Sequence, residues 1–178
     1  MRTPADERLE VMIGERDIQE RVAQLGRRIT LDYEGKDLVL VAILKGSFVF
    51  VADLARAIDL PVAVDFMAVS SYGMSTKSSG VVRIVKDLDY SLDQKHVLVV
   101  EDIVDTGLTL NYIFGHLKSR GAMSVKICSL LDKVGRRQVA VPVHYKGFEI
   151  PDEFVVGYGL DVEERYRNLK DVCRVVKI

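Results

Sequence analysis

The chain has 178 residues, 48% of them hydrophobic, and a formal net charge of −1. That length suits one domain with a substantial core and leaves no room for a second full one, and the near-neutral charge, free of long runs of one sign, excludes a broad nucleic-acid or membrane surface. No apolar run approaches the roughly 18 residues of a membrane span, and the opening MRTPADERLE lacks the apolar centre of a secretion signal, so a cytoplasmic protein is expected.

In chain order, Ile18, Val22, Leu25 and Ile29 recur at helical spacing and predict an N-terminal helix. Residues 38–44 are uniformly apolar and predict a buried strand; 48–58 read as the following helix. Between them, Lys45-Gly46-Ser47 makes a strand–turn–helix passage where backbone N–H groups, a close-approach glycine and one ammonium can meet an anion, although a plain connecting turn would read the same way. Residues 61–69 and 81–85 predict further strands, separated by the polar, glycine-bounded segment 70–80. Residues 97–100 are an unbroken β-branched and apolar run, followed by a helix carrying Leu110, Ile113, Phe114 and Leu117 and stopped by Gly121; 125–131 form the next strand. Lys133 follows it directly, Arg136 and Arg137 read as a solvated turn, and 154–158 read as a last apolar strand. The alternation predicts an α/β doubly wound sheet. Cys128 and Cys173 have apolar neighbours and no ligand spacing, so buried free thiols are expected; His96, His116 and His144 are scattered and read as structural or surface residues.

The stretch 97–109, VLVVEDIVDTGLT, carries the most chemistry. Glu101 and Asp102 stand at the strand's C-terminal end, the end that faces ligands in open α/β sheets. Asp105, Thr106 and Gly107 then turn the chain into a helix whose first N–H groups, positive dipole end and Thr106 and Thr109 hydroxyls suit a phosphate. Carboxylates ahead of such a cradle suit sugar hydroxyls or Mg²⁺, and the two features together point to a phosphorylated sugar. A P-loop NTPase would also place acidic residues after an apolar strand, but G-x-x-x-x-G-K-[ST] is absent from the chain. An ordinary helix start accounts for the acidic residues and leaves the Asp-Thr-Gly-x-Thr pattern unexplained.

This stretch resembles the phosphoribosyl-diphosphate signature of the type I phosphoribosyltransferases. LKGS (44–47), SSYG (70–73), LLDK (130–133) and FEIPDEFVVGYGLDVEERYRNL (148–169) extend the resemblance, in family order, to the hypoxanthine-guanine branch. The resemblance implies a single domain over 1–178, with a central mainly parallel sheet flanked by helices. A small hood would form from the chain termini, chiefly the N-terminal segment and about 133–178. It implies Mg²⁺-dependent transfer of 5-phosphoribosyl from 5-phosphoribosyl 1-diphosphate to N9 of hypoxanthine or guanine, giving IMP or GMP and pyrophosphate, in a homodimer or homotetramer without nucleic acid or membrane partners.

The same resemblance assigns roles residue by residue. Asp105 would manage the proton at purine N7, with Ser71 and Tyr72 on a flexible catalytic loop. Glu101, Asp102, Asp105, Thr106, Gly107, Leu108 and Thr109 would hold the ribose and 5′-phosphate. Lys45, Gly46 and Arg167 would contact pyrophosphate, in a loop that in the family can carry an unusual cis peptide between the residues matching Lys45 and Gly46, a state the sequence leaves open. Lys133, Phe154, Val155 and Asp161 would belong to the purine side, Lys133 at the exocyclic oxygen and Phe154 stacking; Glu101, Asp102 and Asp161 would ligate Mg²⁺. Leu108 stands where some members carry lysine, and Glu153 where some carry a basic residue. The rival readings are a phosphoribosyl-diphosphate-sensing regulator, which would call for a basic face or an added DNA-binding domain, and a xanthine or uracil phosphoribosyltransferase.

Overall fold

Strand β2 (Leu38–Leu44) explains the layering, because its side chains alternate between two separate cores. Leu38, Leu40 and Ala42 join the core under the first two helices, whereas Val39, Val41 and Ile43 join the core under the third. A computed structural model describes residues 7–71 and 82–177.

Helix α1 (Glu15–Asp32) buries Ile18, Val22, Leu25 and Ile29, the four positions its period predicts. It packs beside α2 (Phe48–Ala57), which buries Phe50, Val51 and Leu54 on the same face of the sheet. Helix α3 (Leu108–Ser119) covers the other face with Leu110, Ile113 and Leu117, with Phe114 partly buried against the same core.

Six strands form the central sheet in the order β4-β3-β2-β5-β6-β7. Besides β2 they are β3 (Ala63–Ser71), β4 (Val82–Lys86), β5 (His96–Val104), β6 (Ser124–Asp132) and β7 (Tyr145–Glu149). All pairs are parallel except β3 with β4. A second sheet, β1-β9-β8, is antiparallel and joins β1 (Glu7–Ile13), β9 (Val172–Lys177) and β8 (Val155–Val156), so it is built from both ends of the described chain. Among the described residues no helix is long and apolar enough to cross a membrane.

Several expectations change. Strand β5 does not end at Val100 but runs through Glu101 and Asp102 to Val104, because Glu101, Ile103 and Val104 still pair with Ser129, Leu131 and Asp132. The last apolar strand shrinks to two residues, since Gly157, Tyr158 and Gly159 all have positive φ and turn the chain away. Strands β1, β7 and β9 were not expected from the sequence. Cys128 and Cys173 are buried and free, and His96 and His144 are bound into structure: His96 Nδ1 lies 2.7 Å from Ser124 Oγ, and Ile127 N donates to His144 Nδ1.

From β2 the chain moves to β3 on one side through α2; from β5 it moves to β6 on the other side through α3, on the opposite face. The order therefore reverses between β2 and β5. A crevice opens at such a switch point beyond the carboxyl ends of the strands. Lys45 and Gly46 follow β2 there, and Asp105 to Thr109 follow β5.

Candidate active site

Two loops and the end of β5 interlock at this crevice through missing side chains. A Cβ on Gly46 would fall 1.6 Å from Asp102 Oδ2, and one on Gly159 would fall 2.0 Å from the Gly46 carbonyl oxygen. Glycine is required at both places so that the loop after β2 can lie against β5 and the 159–167 loop against both. A cis peptide joins Leu44 to Lys45, the bond before Lys45–Gly46. It sits at the strand terminus, where Leu44 still pairs with Ala68; what Gly46 contributes is room for the Asp102 carboxylate.

Successive strand residues point to opposite sides, and this separates Glu101 from Asp102. Asp102 faces Gly46 and feels both Arg167 and Asp161; burial pushes its carboxyl up to about 6 despite an N–H donated by Ile103 at 2.8 Å. Glu101 turns toward the start of α3. Its Oε2 is shut off from solvent without a hydrogen-bond partner, and burial together with Asp102 holds its carboxyl well above the usual carboxylate range.

Beside Glu101, residues Asp105, Thr106, Gly107 and Thr109 line a concavity of about 120 Å³ with Ile103, Val104 and Leu110. Gly107 has φ +84 and caps α3, so the first N–H groups of the helix open into this turn. The segment after β6 straps the turn from outside. Gln138 N and Val139 N both donate to Thr106 O, and a Cβ on Gly107 would meet Val139 O at 2.7 Å. Leu108 does not line the concavity, and Asp102 faces the Lys45 loop instead of it.

Lys133 emerges from the end of β6 with its backbone N–H bonded to Val104 O and its side chain 11% exposed. Its Nζ lies 3.7 Å from Asp152 Oδ1; Arg136 Nη1 lies 3.5 Å from Asp152 Oδ2, and Arg136 Nε donates to Asp105 Oδ1 at 3.2 Å. A charge chain thus joins Lys133 to Asp105. The reading of Arg136 and Arg137 as a solvated turn holds for the exposed Arg136 and fails for Arg137, whose Nη2 donates to the buried Asp132 Oδ1 at 2.6 Å, while Lys146 holds the other carboxylate oxygen at 2.8 Å.

The 159–167 loop carries a second cationic cluster. Arg167 donates through Nη1 to Gly159 O and through Nη2 to Glu164 Oε2, and is ion-paired with Asp161 Oδ1; its buried Nε has no partner. Lys45 Nζ donates to Glu164 Oε1 at 2.8 Å, so Lys45, Gly46, Asp102, Asp161 and Arg167 converge. Phe154 and Val155 follow Asp152 into the three-stranded sheet: Phe154 O accepts from Val175 N, and Val155 begins β8. Phe154 presents a side chain left 56% exposed, and Val155 is buried with Arg174 as its register partner. Glu153 is ion-paired with Arg174. Ser71 ends β3, and Tyr72 lies outside the described residues.

Sequence reasoning missed Glu164, Arg136 and Asp152, whose importance lies in partners distant along the chain. No three His, Cys, Asp or Glu side chains among the described residues close on one point to form a metal cage. The buried, unpartnered Glu101 oxygen beside Asp102 nevertheless fits Mg²⁺, a hard cation that takes one or two carboxylates and completes its shell with water and ligand oxygens.

The phosphoribosyl transferase domain family matches residues 13–163. The hypoxanthine phosphoribosyltransferase of Haemophilus influenzae is 52% identical over 171 residues, covering 94% of this chain and 96% of that one. The hypoxanthine-guanine phosphoribosyltransferase of Mycobacterium avium is 52% identical over 165 residues, covering 89% and 81%. A solved hypoxanthine phosphoribosyltransferase from Staphylococcus aureus superposes with a TM-score of 0.91 at 50% identity, covering 94% of this chain and 91% of that one. With this crevice and with identity running along nearly its whole length, the chain belongs to the phosphoribosyltransferase family, in the branch of the hypoxanthine and hypoxanthine-guanine enzymes.

Proposed function

We propose that the protein transfers 5-phosphoribosyl from 5-phosphoribosyl 1-diphosphate to N9 of hypoxanthine, and of guanine, releasing pyrophosphate and forming IMP or GMP in purine salvage. One observation carries the reading: the end of β5 supplies an anion cradle on one side and adjoins the Lys45–Arg167 cluster on the other. A sugar bearing a 5′-phosphate and a 1-diphosphate calls for both.

In this reading the N–H groups at the start of α3 and the Thr106 and Thr109 hydroxyls bind the 5′-phosphate. Glu101 and Asp102 accept from the ribose hydroxyls. Lys45 and Arg167 take the diphosphate, so negative charge that grows as the C1–O bond breaks meets donors already in place. Asp102 and Asp161 on the diphosphate side and Glu101 on the sugar side would hold Mg²⁺, directly or through water, and the ion would supply the charge that neutralises the diphosphate. Lys133 donates to the 6-oxo group of the purine, which adenine lacks, and Phe154 offers its exposed face to the base. Asp105 orients the base through N7 and moves its proton. Ser71 and Tyr72 serve to shield the reacting carbon from water. The three-stranded sheet and the region 133–178 act as a hood over the base. The enzyme works in the cytoplasm as a homodimer or homotetramer.

The test is pyrophosphate release by purified protein with 5-phosphoribosyl 1-diphosphate and Mg²⁺, giving hypoxanthine, guanine, xanthine, adenine and uracil separately. Release with hypoxanthine and guanine, and little with adenine or uracil, is the expected result. Binding of 5-phosphoribosyl 1-diphosphate without release for any base would make the protein a sensor instead.

A further inference from the structure

The two cations assigned to pyrophosphate already share one anion. The Glu164 carboxylate spans them, taking Lys45 Nζ on Oε1 at 2.8 Å and Arg167 Nη2 on Oε2 at 3.0 Å. Each oxygen meets a different cation, the bridging geometry that a phosphate group would adopt in the same gap. The carboxylate is held there by its backbone. Glu163 and Glu164 both have positive φ, Val162 and Arg165 exchange backbone hydrogen bonds around them, and Glu164 N donates to Asp161 Oδ2 at 2.9 Å. Non-glycine residues rarely adopt such a conformation, so two in succession mark a turn fixed by its surroundings. Arg167, for its part, keeps a buried Nε without any partner, a donor that the protein leaves unused.

Resting on the phosphoribosyltransferase reading above, we propose that Glu164 is an internal stand-in for pyrophosphate, a residue that sets how tightly the diphosphate of the substrate and the released pyrophosphate are held. Without ligand, the carboxylate keeps Lys45 and Arg167 paired and aimed into the gap. A diphosphate must displace it from both cations, and when pyrophosphate departs the carboxylate returns. The residue touches groups that bind the ligand and acts through them; it is a positioning residue, and its effect is a weakening of diphosphate affinity. Both partners in the Lys45 pair are well exposed, so the competition is worth a modest factor in binding and not an absolute block.

The experiment is titration of the intact protein with pyrophosphate in the presence of Mg²⁺, by calorimetry, together with pyrophosphate inhibition of nucleotide formation. Wild type is compared with Glu164→Gln, Glu164→Ala and, as a control for charge alone, Glu163→Gln, whose carboxylate stands one residue earlier in the same exposed turn. The expected result is pyrophosphate binding tighter by about three- to tenfold in both Glu164 variants, with Glu163→Gln unchanged. Unchanged or weaker binding in the Glu164 variants overturns the proposal, as does an equal gain in Glu163→Gln, which would reduce the effect to general charge. Wild-type turnover decides the underlying reading separately: an enzyme that turns over, with Glu164 variants of unaltered affinity, sinks only the stand-in. A wild type that neither turns over nor binds pyrophosphate overturns both.

Discussion

Asp105 shows how one side chain can be legible in type and not in setting. Its position after an apolar strand and before Thr106-Gly107 marks a functional turn in the sequence, but nothing there shows that Arg136 donates to it or that Asp152 extends the contact to Lys133. The same holds for Glu164, one acidic residue in a polar run until Lys45, 119 positions away, is folded onto it. Partners of this kind follow from tertiary geometry, and a local pattern carries no trace of them. Since Asp105 is 42% exposed and paired only at the surface, its replacement should spare the fold. Asp105→Asn is expected to lower kcat by about 10²- to 10⁴-fold while the thermal unfolding midpoint stays close to wild type. Undiminished kcat would remove the proton-handling role; loss of the folded state would make the residue structural.

At the scale of elements, legibility tracked burial on both faces. The uniformly apolar β2 has the bounds expected of it, and α1 buries the residues its period predicts, because in each case hydrophobicity alone decides the structure. Strand β1, with the sequence ERLEVMI, mixes charged and apolar residues, and β7 is interrupted by Gly147, so neither stands out from loop sequence. The end of β5 was concealed because Glu101 and Asp102 look like a strand terminus; pairing with β6 continues beneath them. Helix packing provides its own test. A methyl at Gly26 in α1 would lie 2.4 Å from the Ala57 carbonyl oxygen at the end of α2. Alanine gains about 1 kcal/mol in helix propensity over glycine, but backbone cannot yield as a side-chain tip can. Overpacking should therefore win, and Gly26→Ala is expected to destabilise the protein by about 1–3 kcal/mol in chemical denaturation. A stabilised variant would show that α1 and α2 can separate at no cost.

For the whole molecule, the decisive feature is the reversal of strand order between β2 and β5, which sets two βα turns side by side. Each turn alone is an unremarkable anion-binding geometry. Side by side, with Gly46 and Gly159 removing the bulk between them, they make one crevice suited to a ligand charged at two ends. The α/β class and the positions of both turns were legible because periodicity and glycine placement are local. The three-stranded sheet was not, as it unites β1 with β9 across nearly the full length of the chain.

The most direct test of the central claim is the identity of the product. Protein incubated with 5-phosphoribosyl 1-diphosphate, Mg²⁺ and hypoxanthine should yield a nucleotide that chromatography, mass and NMR identify as IMP, with ribose on N9 and one pyrophosphate released for each nucleotide formed. Substrate that is bound yet recovered intact, or hydrolysed to ribose 5-phosphate without a base attached, would contradict it.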